Sequence, residues 1–127
     1  MSNTYTFTYF DGIDLKEIDI TTTNRTHAMQ LFSDKFCDKK TKQWRVQLLR
    51  IYVNNEEKGK FVIAIGEKGK KTLKTCNATE AFNELSTIIG CVPPKITEFL
   101  GSASIGQVLT DNQIKIYCVR YYKDVKG

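Results

Sequence analysis

One histidine, His27, is all the chain offers as imidazole, and its four cysteines, Cys37, Cys76, Cys91 and Cys118, include no CxxC pair. A zinc site would therefore need long-range convergence without any of the short ligand spacings that mark such sites. A Cys–His nucleophile pair has little to work with either. Cys76 lies just ahead of a predicted helix N-terminus, where the dipole lowers a thiol pKa, but nothing in the sequence brings His27 to it. No apolar run reaches the length of a membrane span or a signal h-region, so the chain reads as soluble and cytoplasmic, with no membrane partner. In that compartment the cysteines are expected to stay reduced, without a disulfide framework. A P-loop is also missing: only two residues separate Gly66 from Gly69, where GxxxxGK[ST] requires four. Paired carboxylates exist, Asp34 with Asp38 and Glu17 with Asp19, yet they serve as readily for surface solvation as for acid–base work. A small enzyme of unknown class is the least favoured reading, and no cofactor and no metal site are expected.

What is present is an ordinary globular composition, 41% apolar and 26% charged in 127 residues. That length suits one α+β domain spanning 1–127, large enough to bury a core without disulfides or metal. The formal charge is +5 and the pI is near 9.0, values that suit a phosphate-bearing or an acidic partner without choosing between them. The cations cluster. Lys39, Lys40, Lys42, Arg45 and Arg50 form one group, and Lys58, Lys60, Lys68, Lys70, Lys71 and Lys74 form another, with Glu56, Glu57 and Glu67 interspersed.

Taken in order, Tyr5, Phe7 and Tyr9 alternate with Thr4, Thr6 and Thr8, which predicts a strand. Asp11-Gly12 predicts a tight type I′ hairpin turn. The return strand runs from Ile13 to about Thr22, and a change of apolar phase near Lys16 or Glu17 predicts a bulge, or else pairing over the second half of the strand alone. Asn24 is a candidate N-cap for a helix whose stripe is Ala28, Leu31, Phe32 and Phe36. Trp44 to Val53 reads as a strand with a bulge or twist, and Phe61 to Ile65, apolar throughout, as a central strand. Asn77, with Glu80 three residues on, caps a second helix with the stripe Ala81, Phe82, Leu85, Ile88 and Ile89, closed by Gly90. At one fixed offset Thr22, Asn24, Ala28 and Ser33 meet Thr75, Asn77, Ala81 and Ser86, so the chain reads as two pseudo-repeated ββα units. Pro94 opens a short helix that Gly101 stops, Ser102 to Leu109 is a helix or an ordered loop, and Ile114 to Tyr122 is a final inner strand. The expected fold is thus α+β, with about six mostly antiparallel strands and two main helices on one face.

Two features bear on function. The segment Ile65, Gly66, Glu67, Lys68, Gly69, Lys70, Lys71, Thr72, Leu73 resembles the GXXG loop of KH domains, which clamps a nucleic-acid backbone through close glycine approach. That resemblance implies a helix over Phe61 to Ile65, against the strand expected there, and it places Thr72 where the family has an apolar residue. Second, Trp44, Tyr52, Tyr117, Tyr121 and Tyr122 interleave with Arg45, Arg50, Lys115, Arg120 and Lys123. On an exposed sheet face such a mixture makes a stacking and phosphate-binding platform.

The first reading is a non-catalytic binding protein engaging nucleic acid or a nucleoprotein through Lys39, Lys40, Lys42, Trp44, Arg45, Lys68, Lys70, Lys71, Lys74, Lys115 and Arg120. The competing reading is a protein-binding inhibitor or adaptor of phage or mobile-element type. It acts on a host protein through Cys91 to Asn112, with Ile96, Phe99, Leu100 and Ile105 as its contacts; the plainer reading of these apolar residues is that they cover an end of the core.

Overall fold

Two hairpins, each followed by an asparagine-capped helix, organise the chain. The structure, a computed structural model, describes residues 2–54, 58–66, 71–75 and 77–124. The fold is α+β, with seven strands in two antiparallel sheets and three helices. It divides into two compact units, Met1–Glu57 and Lys58–Gly127.

In the first unit, β1 (Asn3–Phe10) pairs with β2 (Leu15–Thr22) from Asn3↔Thr22 to Phe10↔Leu15 in unbroken register. The expected bulge in β2 is absent. The phase change has another cause: Ile13 sits in the turn, exposed, while Leu15 is fully buried on the face opposite Ile18 and Ile20. The turn is also longer than the predicted two residues. Asp11 to Asp14 form the loop, closed by Asp11 N donating to Asp14 O at 3.1 Å. Asp11 Oδ1 accepts the amides of Ile13 and Asp14 at 2.9 and 2.7 Å, an Asx-type turn. α1 (Arg25–Phe36) follows, with Asn24 accepting the His27 amide at 2.8 Å. Its stripe packs Phe32 flat on Phe7, ring centroids 4.5 Å apart, with Phe36 against Tyr9. β3 (Gln47–Val53) returns beside β1, giving the order β2-β1-β3. The register shift between Thr8 and Tyr9 leaves Leu49 as the extra residue of the expected bulge. Trp44 falls outside the strand, held by a single bridge to Cys37.

In the second unit, β4 (Lys60–Ile65) pairs with β5 (Lys71–Thr75), and α2 (Ala78–Ile89) follows under the Asn77 cap. Ala81, Phe82 and Leu85 are buried as predicted. Ile88 and Ile89, expected in the same stripe, are exposed at 37% and 38%. α3 (Pro94–Ser102) continues through Gly101, which is buried inside the helix instead of ending it. Of Ser102 to Leu109, residues 103–107 form a loop, one of the two forms expected, and Val108 and Leu109 begin β6 (Val108–Asp111); β7 (Ile114–Val119) closes the sheet in the order β5-β4-β7-β6. A short 3-10 turn, Tyr122–Asp124, ends the described chain.

The two units share more than ββα. Both helices are 12 residues long. Both bury an alanine and, four residues on, a large apolar side chain, Ala28 with Phe32 and Ala81 with Leu85. Both end with a backbone N–H donated to a serine carbonyl, Ser33 or Ser86. In both, a later strand, β3 or β7, pairs with the first strand of the hairpin on its free side. The second unit differs by inserting α3 and β6 before that strand.

Candidate functional site

Register decides which side chains share a face. On β4, Phe61, Ile63 and Ile65 pair with Cys118, Ile116 and Ile114 of β7, and Phe61, Ile63, Ile116 and Cys118 are buried with Ala81, Phe82 and Leu85 of α2. Phe99 of α3 meets Phe61 edge-on, centroids 6.3 Å apart. The alternate residues, Lys60, Val62 and Ala64 on β4 and Lys115, Tyr117 and Val119 on β7, therefore point away from α2. Lys74 and Thr72 of β5 and Val108 and Thr110 of β6 join them, giving the transverse row Lys74, Val62, Tyr117, Val108. Val62, in the middle, is buried; Lys60, Lys74, Lys115 and Val108 around it are exposed, Val108 at 47%.

Cations and rings are paired along this face. Lys115 Nζ lies 5.3 Å from the Tyr117 ring centroid, and Lys60 Nζ lies 5.3 Å from that of Tyr122. Lys123 Nζ stands 5.4 Å from the Tyr121 ring, which is 52% exposed. The Tyr122 hydroxyl donates to the Thr75 carbonyl, fixing these rings to the end of β5. Next to Tyr117 an open concavity of about 500 Å³ is lined by Ile105, Val108, Lys115, Tyr117, Val119 and Arg120, among others.

Four carboxylates of the unit with described side chains lie elsewhere: Glu80 and Glu84 belong to α2 and Glu98 to α3, while Asp111 pairs with Ile114 at the other side-chain parity. Glu67 lies outside the described residues, and Asp124 follows Lys123 in the 3-10 turn. Among the described residues, Lys60, Lys74, Lys115 and Arg120 form no ion pair.

The predicted site residues divide between the two units. Lys39, Lys40, Lys42, Trp44 and Arg45 come together in the first, in a small hairpin after α1 closed by Arg45 N to Phe36 O and Asp38 N to Gln43 O, at 2.8 and 2.9 Å. Carboxylates accompany these cations, Asp34 from α1 and Asp38 from the hairpin itself. Lys39 pairs with Asp34 at 3.7 Å, and the amides of Lys40 and Thr41 bind Asp38 and hold its carboxyl below the usual range. Trp44 is 45% exposed beside Arg25 and Met29. Tyr52 is removed from any platform: it is buried, under the Arg50 guanidinium, on a sheet whose second face also buries Thr6, Thr8 and Leu15.

Lys74, Lys115 and Arg120 come together in the second unit. Only the backbone of Lys71 is described there, paired with Ile65. Lys68 and Lys70 lie outside the described residues, as does the thiol candidate Cys76. The KH-like reading fails on the preceding segment, since Phe61 to Ile65 is a strand with neighbours on both sides, not a helix. The alternative surface is corrected too. Ile96 and Leu100 are fully buried in the folded unit, and Phe99 is half-buried on Phe61, so of the four only Ile105 reaches a surface concavity.

Sequence reasoning left Lys60 and Val108 out of the site. Lys60 was readable only through its register opposite Val119, and Val108 only once β6 was known to be a strand. Among the described residues no three of His, Cys, Asp and Glu gather as metal ligands would, and no helix is long and apolar enough to cross a membrane. No protein family, no curated protein and no solved structure matches this chain.

Proposed function

We propose that the chain is a non-catalytic nucleic-acid-binding protein, and that it binds through the face of its second sheet turned away from α2. One observation carries the reading. Lys60, Lys74 and Lys115 are exposed on the Tyr117 side of the sheet and exposed Arg120 lines the concavity beside it, while Glu80, Glu84 and Glu98 sit on α2 and α3 and Asp111 at the other parity of β6. A sheet that only needed solubility would mix both signs across its surface. Separation by face favours an anionic partner, and strand spacing of ~4.8 Å puts Lys74 and Lys115 roughly 10 Å apart laterally, a span that follows a sugar–phosphate backbone. The exposed rings add base-stacking surface between those charges. The hairpin of Lys39, Lys40 and Lys42 is the weaker candidate, because Asp34 and Asp38 are interspersed with its cations.

The test is a fluorescence-anisotropy titration of labelled oligonucleotides at two salt concentrations. Four phosphate contacts predict that affinity falls by about fifty-fold between roughly 50 and 200 mM salt, from a slope of about 0.7 per contact on a single strand. Binding that ignores salt, or no binding at all, overturns the proposal. So does capture of one protein partner that neither nuclease nor salt releases, the result expected of an inhibitor or adaptor.

A further inference from the structure

We propose that the concavity beside Tyr117 takes one unstacked base, so that the site selects single strands over duplex; this rests on the nucleic-acid reading above and specifies its substrate. The concavity, about 500 Å³, is within the usual range for small-ligand sites of roughly 300–1,000 Å³. Its walls are of two kinds. Ile105, Val108 and Val119 supply apolar surface and Tyr117 a ring, while Lys115 and Arg120 supply charge toward the two ends of β7.

That combination matches a nucleotide part by part. A base is flat and presents a π-face that an aromatic ring and aliphatic side chains cover, and the phosphates on either side of it are anionic. Lys115 Nζ lies over the Tyr117 ring, 5.3 Å from its centroid, so a base stacked on that face takes the ammonium's place and the flexible lysine side chain turns to a flanking phosphate. A duplex offers much less to this shape. Its bases are stacked and paired, and it shows only groove edges and phosphates, so the open concavity beside Tyr117 stays empty. Phosphate contacts alone are expected of a duplex here, whereas a single strand adds a stacked base on top of them.

The apolar wall points the same way. Val108 is 47% exposed on β6, in the same transverse row as Tyr117, and an open apolar wall next to Lys115 and Arg120 has no use for a partner that presents only phosphate.

The experiment compares labelled oligothymidylate and oligouridylate with a duplex of equal length at one salt concentration, using the wild type, Tyr117→Leu and Tyr117→Phe. A stacked base predicts a single-strand preference between about five-fold and somewhat over a hundred-fold. Tyr117→Leu keeps apolar bulk and is expected to bring the ratio of single-strand to duplex affinity close to one; Tyr117→Phe keeps the ring and is expected to retain the preference. Equal, salt-dependent binding of single strand and duplex by the wild type overturns this inference and leaves the nucleic-acid reading standing. Failure to bind either overturns both. A Tyr117→Leu protein with an unchanged melting profile and an undiminished preference also overturns the inference, since the selection then lies elsewhere.

Discussion

Gly59 stands against Cys118: a Cβ placed on Gly59 would lie 2.5 Å from the Cys118 sulfur, with Ile105 Cγ1 at 3.1 Å beside it. Cys118 is fully buried, so the sulfur has little room to withdraw. Gly59→Ala is expected to destabilise the second unit by about 1–3 kcal/mol, the usual cost of overpacking. Adding Cys118→Ala is expected to recover part of that loss. Urea unfolding of the two single variants and the double variant measures the coupling, and additive effects would show that the sulfur is not the obstacle.

Asn24 and Asn77 perform the same task in the two units, each accepting an amide of the first helical turn at 2.8 Å. Replacing either with alanine leaves that donor without its partner and is expected to cost about 1 kcal/mol. Asn→Asp should cost less, because a carboxylate accepts the same bond and favours the positive end of the helix dipole. Chemical denaturation of the four variants checks the ranking.

Asp11 gives a pH prediction with a definite sign. The amides of Asp14 and Ile13, and the Lys16 ammonium at 3.0 Å, lower its carboxyl from the usual 3.8 to about 2. A depressed folded-state pKa means that this carboxylate contributes stability fully above the unfolded value near 3.8, and that the contribution is lost as pH falls toward about 2. Carbon-detected NMR titration of Asp11 should show a midpoint well below those of ordinary aspartates. Lys16→Ala should raise it only in part, since the two amides remain.

Charge removal separates the two basic regions. If the second sheet is the binding face, each of Lys60→Ala, Lys74→Ala and Lys115→Ala should reduce the salt slope of oligonucleotide binding by about 0.7 to 1. The triple variant Lys39→Ala, Lys40→Ala, Lys42→Ala should leave the slope unchanged. The opposite outcome would move the interface to the hairpin after α1.

Much of the backbone plan was legible because it is local. Asn24 and Asn77 announce helix starts, the Thr–aromatic alternation announces β1, and the continuous apolar run from Phe61 to Ile65 announces an inner strand; none of these needs a distant partner to be read. The two sheets were not legible, since strand pairing depends on contacts such as Lys60↔Val119 that no local pattern encodes. The same limit explains the bulge expected near Lys16 or Glu17 and the binding surface considered at Ile96 and Leu100. Apolar residues are visible in a sequence, but whether they face a core depends on register. Tyr52 and Tyr117 show this most clearly: both are strand tyrosines near a cation, yet one is buried and the other lines a concavity.

β7 is made last of its sheet and takes an inner place between β4 and β6. On the ribosome, β4 and β5 are finished well before it; at roughly 5–20 residues per second the chain from Thr75 to Val119 takes about 2 to 9 s to synthesise. Through that interval the side of β4 that will receive β7 has no partner, and an uncovered strand edge carrying Phe61 and Ile63 invites pairing with other nascent chains. The first unit is spared much of this delay, because its closing strand β3 follows soon after α1. The second half of the protein is therefore the part whose yield should depend most on translation speed and on chaperones that shield exposed β-edges.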